Sequence, residues 1–416
     1  MIARADAPAL AHVAIVTDES FVNGGIARVA LSSAVALAEA GYEVSLFTAV
    51  GPIDPGLLGR QNLRVICTGQ RDILSDPNRA AAAVRGLWNR RAARMFDAHL
   101  SELDRTRTVV HVHCWTKALS SSVVRTALRR RFPTVVTLHE YFTACPNGGF
   151  FNHRSQQICS LEPLGPRCIL ADCDARSYAH KAWRVGRQVV QHAAGGVPSR
   201  IKHFISVSDF SRERLRPYLP LDAAFYAIPN PIDVRKEPPV DVARNGEFVF
   251  VGRLSKEKGA SLFADAANRL GVDAVFVGDG ECKEDVRARN PRATITGWLA
   301  PHAVNARLSR ARALVFPSVW YETFGLVVLE AAARGVPAIV SDRTCASELI
   351  VENETGLLFR AGDAGDLARK IEILRDPGAA AAMGAEAYRR YWSSPLLMEN
   401  HLERLVHVYG RVLQGG

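Results

Sequence analysis

The sequence predicts an α/β protein built as two doubly wound, Rossmann-like domains, and three observations predict it. Short apolar runs of strand length alternate with longer segments of helical periodicity along most of the chain. A polar stretch over residues 236–246, carrying Pro238-Pro239, interrupts that alternation. A second alternating series then starts at Phe248.

The first run, His12–Thr17, passes through Asn23-Gly24-Gly25 into a helical segment, Ile26–Ala40, which Gly41 closes. Strand Glu43–Thr48 follows, so strand, glycine turn, helix and strand make one βαβ unit. Further strand-like runs lie at 109–113, 134–139, 203–207 and 225–228, before the linker. After it they lie at 248–251, 274–277, 293–296, 313–316 and 338–340. The expected domains are 1–240, with a cysteine-bearing insertion over 141–185, and 241–394. An amphipathic final helix over 395–416 is expected to pack back on the first domain.

A length of 416 residues suits two cores. No apolar run approaches the roughly 18 residues that cross a bilayer. Arg4 and Asp6 lead straight into an apolar strand, without a secretory leader, which implies a cytoplasmic protein. Residues 1–200 hold 24 Lys and Arg against 15 Asp and Glu, whereas 201–416 hold 28 against 27. The excess on the first half suggests an anionic partner such as lipid headgroups or a lipid-linked phosphate. No helix-turn-helix, zinc-finger or RNA-binding signature accompanies it, so nucleic acid is not expected.

Several ordered motifs cover nearly the whole chain. They are Phe250-Val251-Gly252-Arg253-Leu254-Ser255-Lys256-Glu257-Lys258-Gly259, Val277-Gly278-Asp279-Gly280, Gly297-Trp298, Phe316-Pro317-Ser318, Glu322-Thr323-Phe324-Gly325-Leu326 through Glu330, and Thr355-Gly356. Gly24-Gly25-Ile26-Ala27-Arg28 and Ile228-Pro229-Asn230-Pro231-Ile232-Asp233 precede them. Together they resemble glycosyltransferase family 4, retaining enzymes of the GT-B fold. The resemblance implies two domains facing across a cleft and a nucleoside-diphosphate sugar donor. It also implies transfer to a polysaccharide or lipid-linked glycan, with no metal required at the catalytic centre.

A departing nucleoside diphosphate gains negative charge as the glycosidic bond breaks, so a cation must stabilise it. Arg253 and Lys258 follow a strand, where open α/β sheets bind ligands, and the resemblance puts such a pair on the diphosphate. The lone Asp172-Cys173-Asp174 triplet sits inside the insertion rather than at a strand end. Thr323, Phe324, Gly325 and Leu326 mark an expected helix start, where unpaired backbone N–H groups attract phosphate. By resemblance Glu330 takes the ribose hydroxyls and Glu322 works near the sugar ring. Glu322 is expected in the turn before the helix and Glu330 about two turns into it. A span of order 10 Å fits the two ends of one donor, whereas an acid/base pair on one bond needs about 5 Å. His139, at the end of the run from Thr134, matches a family histidine near the reacting sugar. Gly24 and Gly25 admit close backbone approach to the donor, although a tight turn explains one of them equally well. The segment Ser341-Asp342-Arg343-Thr344-Cys345-Ala346-Ser347-Glu348 departs from the family, which often carries Gly-Gly before that glutamate.

Cys145, Cys159, Cys168 and Cys173 cluster in the insertion, with structural zinc, unconnected thiols and disulfides all open. Residues 79–100 place Ala81, Val84, Leu87, Trp88 and Phe96 beside Arg85, Arg90, Arg91 and Arg94, and 125–131 add four arginines. This pattern reads equally as a solvated helix packed by its apolar stripe or as a basic surface peripheral on the inner face of an anionic membrane. A nucleotide-sugar epimerase and a non-catalytic binding protein on the same fold are the alternatives to transfer.

Overall fold

The computed structural model describes residues 10–415; Arg4 and Asp6, on which the missing leader was read, lie outside them. In chain order the first elements are β1 (His12–Val16), α1 (Gly25–Glu39), β2 (Glu43–Thr48), β3 (Leu63–Cys67), α2 (Arg79–Leu87) and α3 (Arg90–Ser101). Next come β4 (Thr108–Val112), α4 (Ser122–Arg129), β5 (Thr134–Leu138), a hairpin of β6 (Phe151–Asn152) and β7 (Gln157–Ile158), α5 (Pro166–Leu170) and α6 (Tyr178–Val190). Then follow β8 (His203–Ser206), α7 (Asp209–Leu215) and β9 (Ala224–Ala227). The second series comprises β10 (Glu247–Val251), α8 (Ala260–Leu270), β11 (Ala274–Val277), α9 (Lys283–Arg289), β12 (Thr294–Gly297), α10 (Pro301–Leu308) and β13 (Ala311–Phe316). It closes with α11 (Leu326–Ala332), β14 (Ala338–Ser341), β15 (Gly356–Phe359), α12 (Ala364–Arg375), α13 (Pro377–Ser393) and α14 (Met398–Gln414).

The chain forms two compact units. The first holds residues through Gly148, Leu161–Pro231 and the segment from Met398; the second holds Gly149–Ser160 and Ile232–Leu397. The division at Pro231/Ile232 falls earlier than the break expected near residue 240. The cysteine-bearing insertion is itself divided, its β6–β7 hairpin belonging to the second unit.

Each unit is a parallel sheet wound in both directions. The first has strand order β3-β2-β1-β4-β5-β8-β9 and the second β12-β11-β10-β13-β14-β15. Their apolar strands are buried along most of their length, as parallel strands covered on both faces must be. In the first unit α14 turns His401, Leu405, Val408, Tyr409 and Val412 inward at helical spacing, against a core that includes Val13, Ala34 and Val135. The Tyr409 hydroxyl shares a 2.7 Å hydrogen bond with His111 Nδ1, so its burial leaves no stranded polar group. In the second unit Phe263 packs on Phe276 with ring centroids 4.9 Å apart, locking α8 to β11.

The expected single helix over 79–100 is interrupted at Trp88-Asn89. Asn89 Oδ1 accepts from Ala92 N at 3.0 Å and caps α3, two residues after α2 ends at Leu87. Ala92, Phe96 and Leu100 of α3 are buried. Arg129 and Arg130 both bind Asp97, so its single carboxylate offsets one of the four arginine charges counted over 125–131. No helix among the described residues is long and apolar enough to cross a membrane.

Candidate functional site

Where strand order reverses, the loops leaving two neighbouring strands diverge and open a crevice at their carboxyl ends. In the second unit β10 has β11 on one side and β13 on the other, so its reversal lies between β10 and β13. The loops after those two strands carry Arg253 to Lys258 and Ser318 to Glu322. The Lys258 ammonium donates to Glu322 Oε1 at 2.5 Å, and Ser318 Oγ donates to the same oxygen at 2.7 Å. Lys258 also stands over the Trp320 ring, 5.6 Å from its centroid. Lys258 and Glu322 are largely buried but not sealed, with side chains 23% and 9% exposed.

Backbone geometry fixes this pair. Glu257 O accepts from Val319 N at 2.9 Å, tying the two loops together. Gly259 then adopts φ +71°, and a Cβ there would lie 2.0 Å from Pro317 O. Only glycine satisfies both the left-handed backbone and the close approach. Glu257 is buried and accepts from Ser255 Oγ at 2.7 Å and Arg253 Nη2 at 2.9 Å. Burial alone would raise its carboxyl, but those hydrogen bonds and the nearby Arg253 and His153 hold it below the ordinary range. Arg253, 65% exposed, therefore keeps its cation on the surface of the loop.

The remaining residues expected on the donor in this unit follow the same strand, β13, some for different reasons. Gly325 precedes α11, and a Cβ on it would meet Ala346 Cβ at 2.7 Å, so close packing already demands a small residue. Phe324 and Leu326 pack on a small apolar cluster that includes Leu329, Ala333 and Tyr391. Thr323 is half-buried in the turn. Glu330 is the fifth residue of α11, little more than one turn in rather than two, because the helix begins only at Leu326.

In the first unit the reversal lies between β1 and β4. The loops there bring together residues that sequence reasoning passed over. Asp18 is fully buried, and its carboxylate accepts from the backbone N–H groups of Lys117, Ala118 and Leu119 at 2.8–2.9 Å and from Cys114 Sγ at 3.1 Å. Glu19 accepts from Lys117 Nζ at 3.0 Å and Asn23 Nδ2 at 2.8 Å. Burial alone would lower the Lys117 ammonium, but Glu19 and its neighbours hold it well above the ordinary value. Asp18-Glu19 directly follows the first strand, so the rule that ligands gather at strand ends was the available signal.

His139 follows β5, and its Nε2 shares a 2.9 Å hydrogen bond with His113 Nδ1. Burial, reinforced by His401, drops its pKa to about 3, so the ring is neutral near pH 7 and acts only through hydrogen bonds. A small pocket is lined by His113, Cys114, Thr116, His139, Glu140 and Thr143 among others. Burial, with Asp18 and Glu19 adding to it, outweighs Lys117 and Arg187 and lifts Glu140 from 4.5 to about 7. The protonated carboxyl therefore favours the fold. Its contribution is complete below the ordinary glutamate value and is lost as pH rises through about 7. Glu140→Gln, which cannot ionise, should gain stability relative to the parent across that window, read by urea unfolding at a series of pH values. A difference that does not change with pH would contradict the placement.

Gly24 and Gly25 sit at the start of α1. Gly24 has an extended φ of 168°, and a Cβ on it would meet nothing within 4 Å. A turn requiring positive φ therefore does not explain Gly24, and its face is open.

The cysteine set is not assembled as a metal centre. Cys145, Cys168 and Cys173 belong to the first unit and Cys159 to the second. No group of three or more His, Cys, Asp or Glu among the described residues is arranged to hold a metal ion. The buried Lys181 ammonium stands among the three thiols of the first unit, donating to Cys168 Sγ at 3.6 Å and hydrogen-bonded to Cys173. A lysine cation thus stands among thiols for which structural zinc was one of three readings left open.

Comparison with known proteins places both units. The description "Glycosyltransferase Family 4" matches residues 23–236, and "Glycosyl transferases group 1" matches 245–376. An alpha-maltose-1-phosphate synthase of Mycobacterium tuberculosis is 30% identical over 319 residues, covering 68% of this chain and 74% of its own. Sucrose-phosphate synthase of Thermosynechococcus elongatus has a similar structure, with a TM-score of 0.71 at 19% identity over 98% of this chain and all of that one. HepE of Anabaena, solved with UDP and glucose, gives 0.67 at 15% identity over 96% and 100%. At such identities these two structures show the shared fold, and that fold is GT-B.

Proposed function

Because the chain belongs to glycosyltransferase family 4, we propose that it is a retaining enzyme moving a sugar from a nucleoside-diphosphate donor to a polysaccharide or lipid-linked glycan. The observation that carries this reading is the Lys258–Glu322–Ser318 cluster at the strand reversal of the second unit. An ammonium there faces the charge that develops on the departing diphosphate, while a neighbouring carboxylate is available to sugar hydroxyls. Arg253 adds a second cation on the same loop, so no metal is needed to balance the leaving group. The solved complex of HepE with UDP and glucose supports a nucleotide-bound donor.

In this reading Glu330 accepts from the ribose hydroxyls, and His139 offers a neutral hydrogen-bonding nitrogen near the reacting sugar. The leaving phosphate assists removal of the acceptor proton, so no enzyme nucleophile is invoked. The epimerase and binding-protein readings gain no support from either cluster. Incubating the enzyme with a panel of donors tests the assignment, because a donor that changes configuration with no acceptor present would overturn it.

Removing the ribose contact has a separate signature. Glu330→Ala should raise the donor KM about 10- to 100-fold, the worth of hydrogen bonds to a charged group, with the melting temperature little changed. A donor KM equal to that of the parent would remove Glu330 from the site.

A further inference from the structure

Eleven large apolar side chains are exposed among the described residues, and six of them fall on one layer of the first unit. Leu74 and Val84 come from α2 and the loop before it, Ile169 and Leu170 from α5, and Tyr178 and Val189 from α6. Side-chain contacts join these pieces. Trp183 of α6 donates from Nε1 to Ala83 O of α2 at 3.1 Å, and its ring fills the space beside Gly86. The Tyr178 hydroxyl donates to Ile169 O at 3.2 Å, which seats α5 beside the start of α6.

The polarity of α6 is inverted. Lys181, Arg187 and Gln188 are buried, whereas Tyr178, Ala182 and Val189 are exposed, and Gly186 between them faces open space. A helix that turns its cations inward and an apolar stripe outward is not built for water on that face. Leu170 is 74% exposed and Val84 66%.

Charge identifies the occupant. Arg79 of α2, Arg167 of α5 and Arg176 just before α6 are exposed, whereas Arg85 and Arg184 pair with Asp76 and Asp174. A second copy of this chain meeting the same face across a two-fold axis would bring these cations together, which is unfavourable. An anionic surface that also accepts apolar side chains satisfies both features.

We propose that the α2–α5–α6 layer docks on an anionic lipid bilayer, with Val84, Leu170 and Val189 entering the headgroup boundary and the arginines pairing with lipid phosphates. The apolar side of α3, part of the basic stretch singled out in the sequence, is excluded because it is spent on packing. The proposal rests on the transferase reading only for its purpose, a lipid-linked acceptor held at that surface.

The full-length protein should sediment at low salt with vesicles of equal parts phosphatidylglycerol and phosphatidylcholine, and not with phosphatidylcholine alone. Val84→Glu combined with Leu170→Glu should weaken that partition at least about tenfold. The melting temperature and transfer to a water-soluble acceptor should stay unchanged. Wild-type protein that fails to sediment with the anionic vesicles, or a double variant that sediments as well as the parent, overturns the proposal. Concentration-dependent dimerisation that the same variant abolishes would also overturn it, assigning the layer to a second copy. Wild-type protein that transfers sugar but does not bind the anionic vesicles removes the surface alone, whereas wild-type protein that binds them without transferring removes the reading of the active site alone.

Discussion

Lys258→Ala is expected to lower kcat about 100- to 1,000-fold, the usual effect of deleting one preorganised donor to a developing anion. The ammonium is held within 2.5 Å of Glu322 and beside Trp320, so it needs little reorganisation when a diphosphate arrives. Its loss also leaves Glu322, 7% exposed overall, with Ser318 but without its cation, so some stability should be lost as well. Two companions separate those effects. Lys258→Arg keeps a cation and should recover part of the rate, whereas Glu322→Gln keeps a neutral partner for Ser318 while removing the carboxylate charge. Steady-state kinetics beside thermal melts read both quantities. A Lys258→Ala enzyme with the parent kcat would place the leaving-group cation elsewhere.

Gly259→Ala should destabilise the second unit by about 3 kcal/mol or more, since it combines a left-handed backbone with a clash at a carbonyl. The added methyl would sit 2.0 Å from Pro317 O, and neither backbone can yield without moving the loop that carries Ser318 and Glu322. Activity should therefore fall together with stability. Glycine at 24 provides the control, because a Cβ there meets nothing within 4 Å. Gly24→Ala should melt as the parent does. Denaturant unfolding of both variants checks the contrast, and an unperturbed Gly259→Ala protein would refute the account of this turn.

These two glycines show what a sequence discloses. Gly24 was open to a turn reading and Gly259 stood only at the end of a motif, yet only Gly259 is held by φ and by an opposing carbonyl. The strands were legible because buried parallel strands are apolar throughout, and the linker because prolines interrupt both periodicities. β3 was overlooked because Arg64 breaks its apolar run and its residues are only partly buried at the sheet edge. β15, Gly356-Leu357-Leu358-Phe359, was overlooked because it opens on a glycine that reads as the end of a turn.

The candidate site divides in the same way. Lys258 and Glu322 were legible through motif resemblance, and their mutual hydrogen bond spans 64 positions that no local pattern connects. Asp18 and Lys117 are joined across 99 positions, so only the topology makes them neighbours. The cysteines left zinc, unconnected thiols and disulfides open, and Lys181 supplies the positive charge among three of them. Counting thiols cannot reveal a cation that arrives from the next helix.

Calorimetric titration of nucleoside diphosphates and their sugars into the parent and Lys258→Ala proteins tests the central claim most directly. At least one nucleoside diphosphate should bind the parent, and its affinity should fall at least about tenfold in the variant, as expected for a lost charge-assisted contact. Equal affinity in the two proteins, or no nucleotide bound by the parent, would contradict that claim.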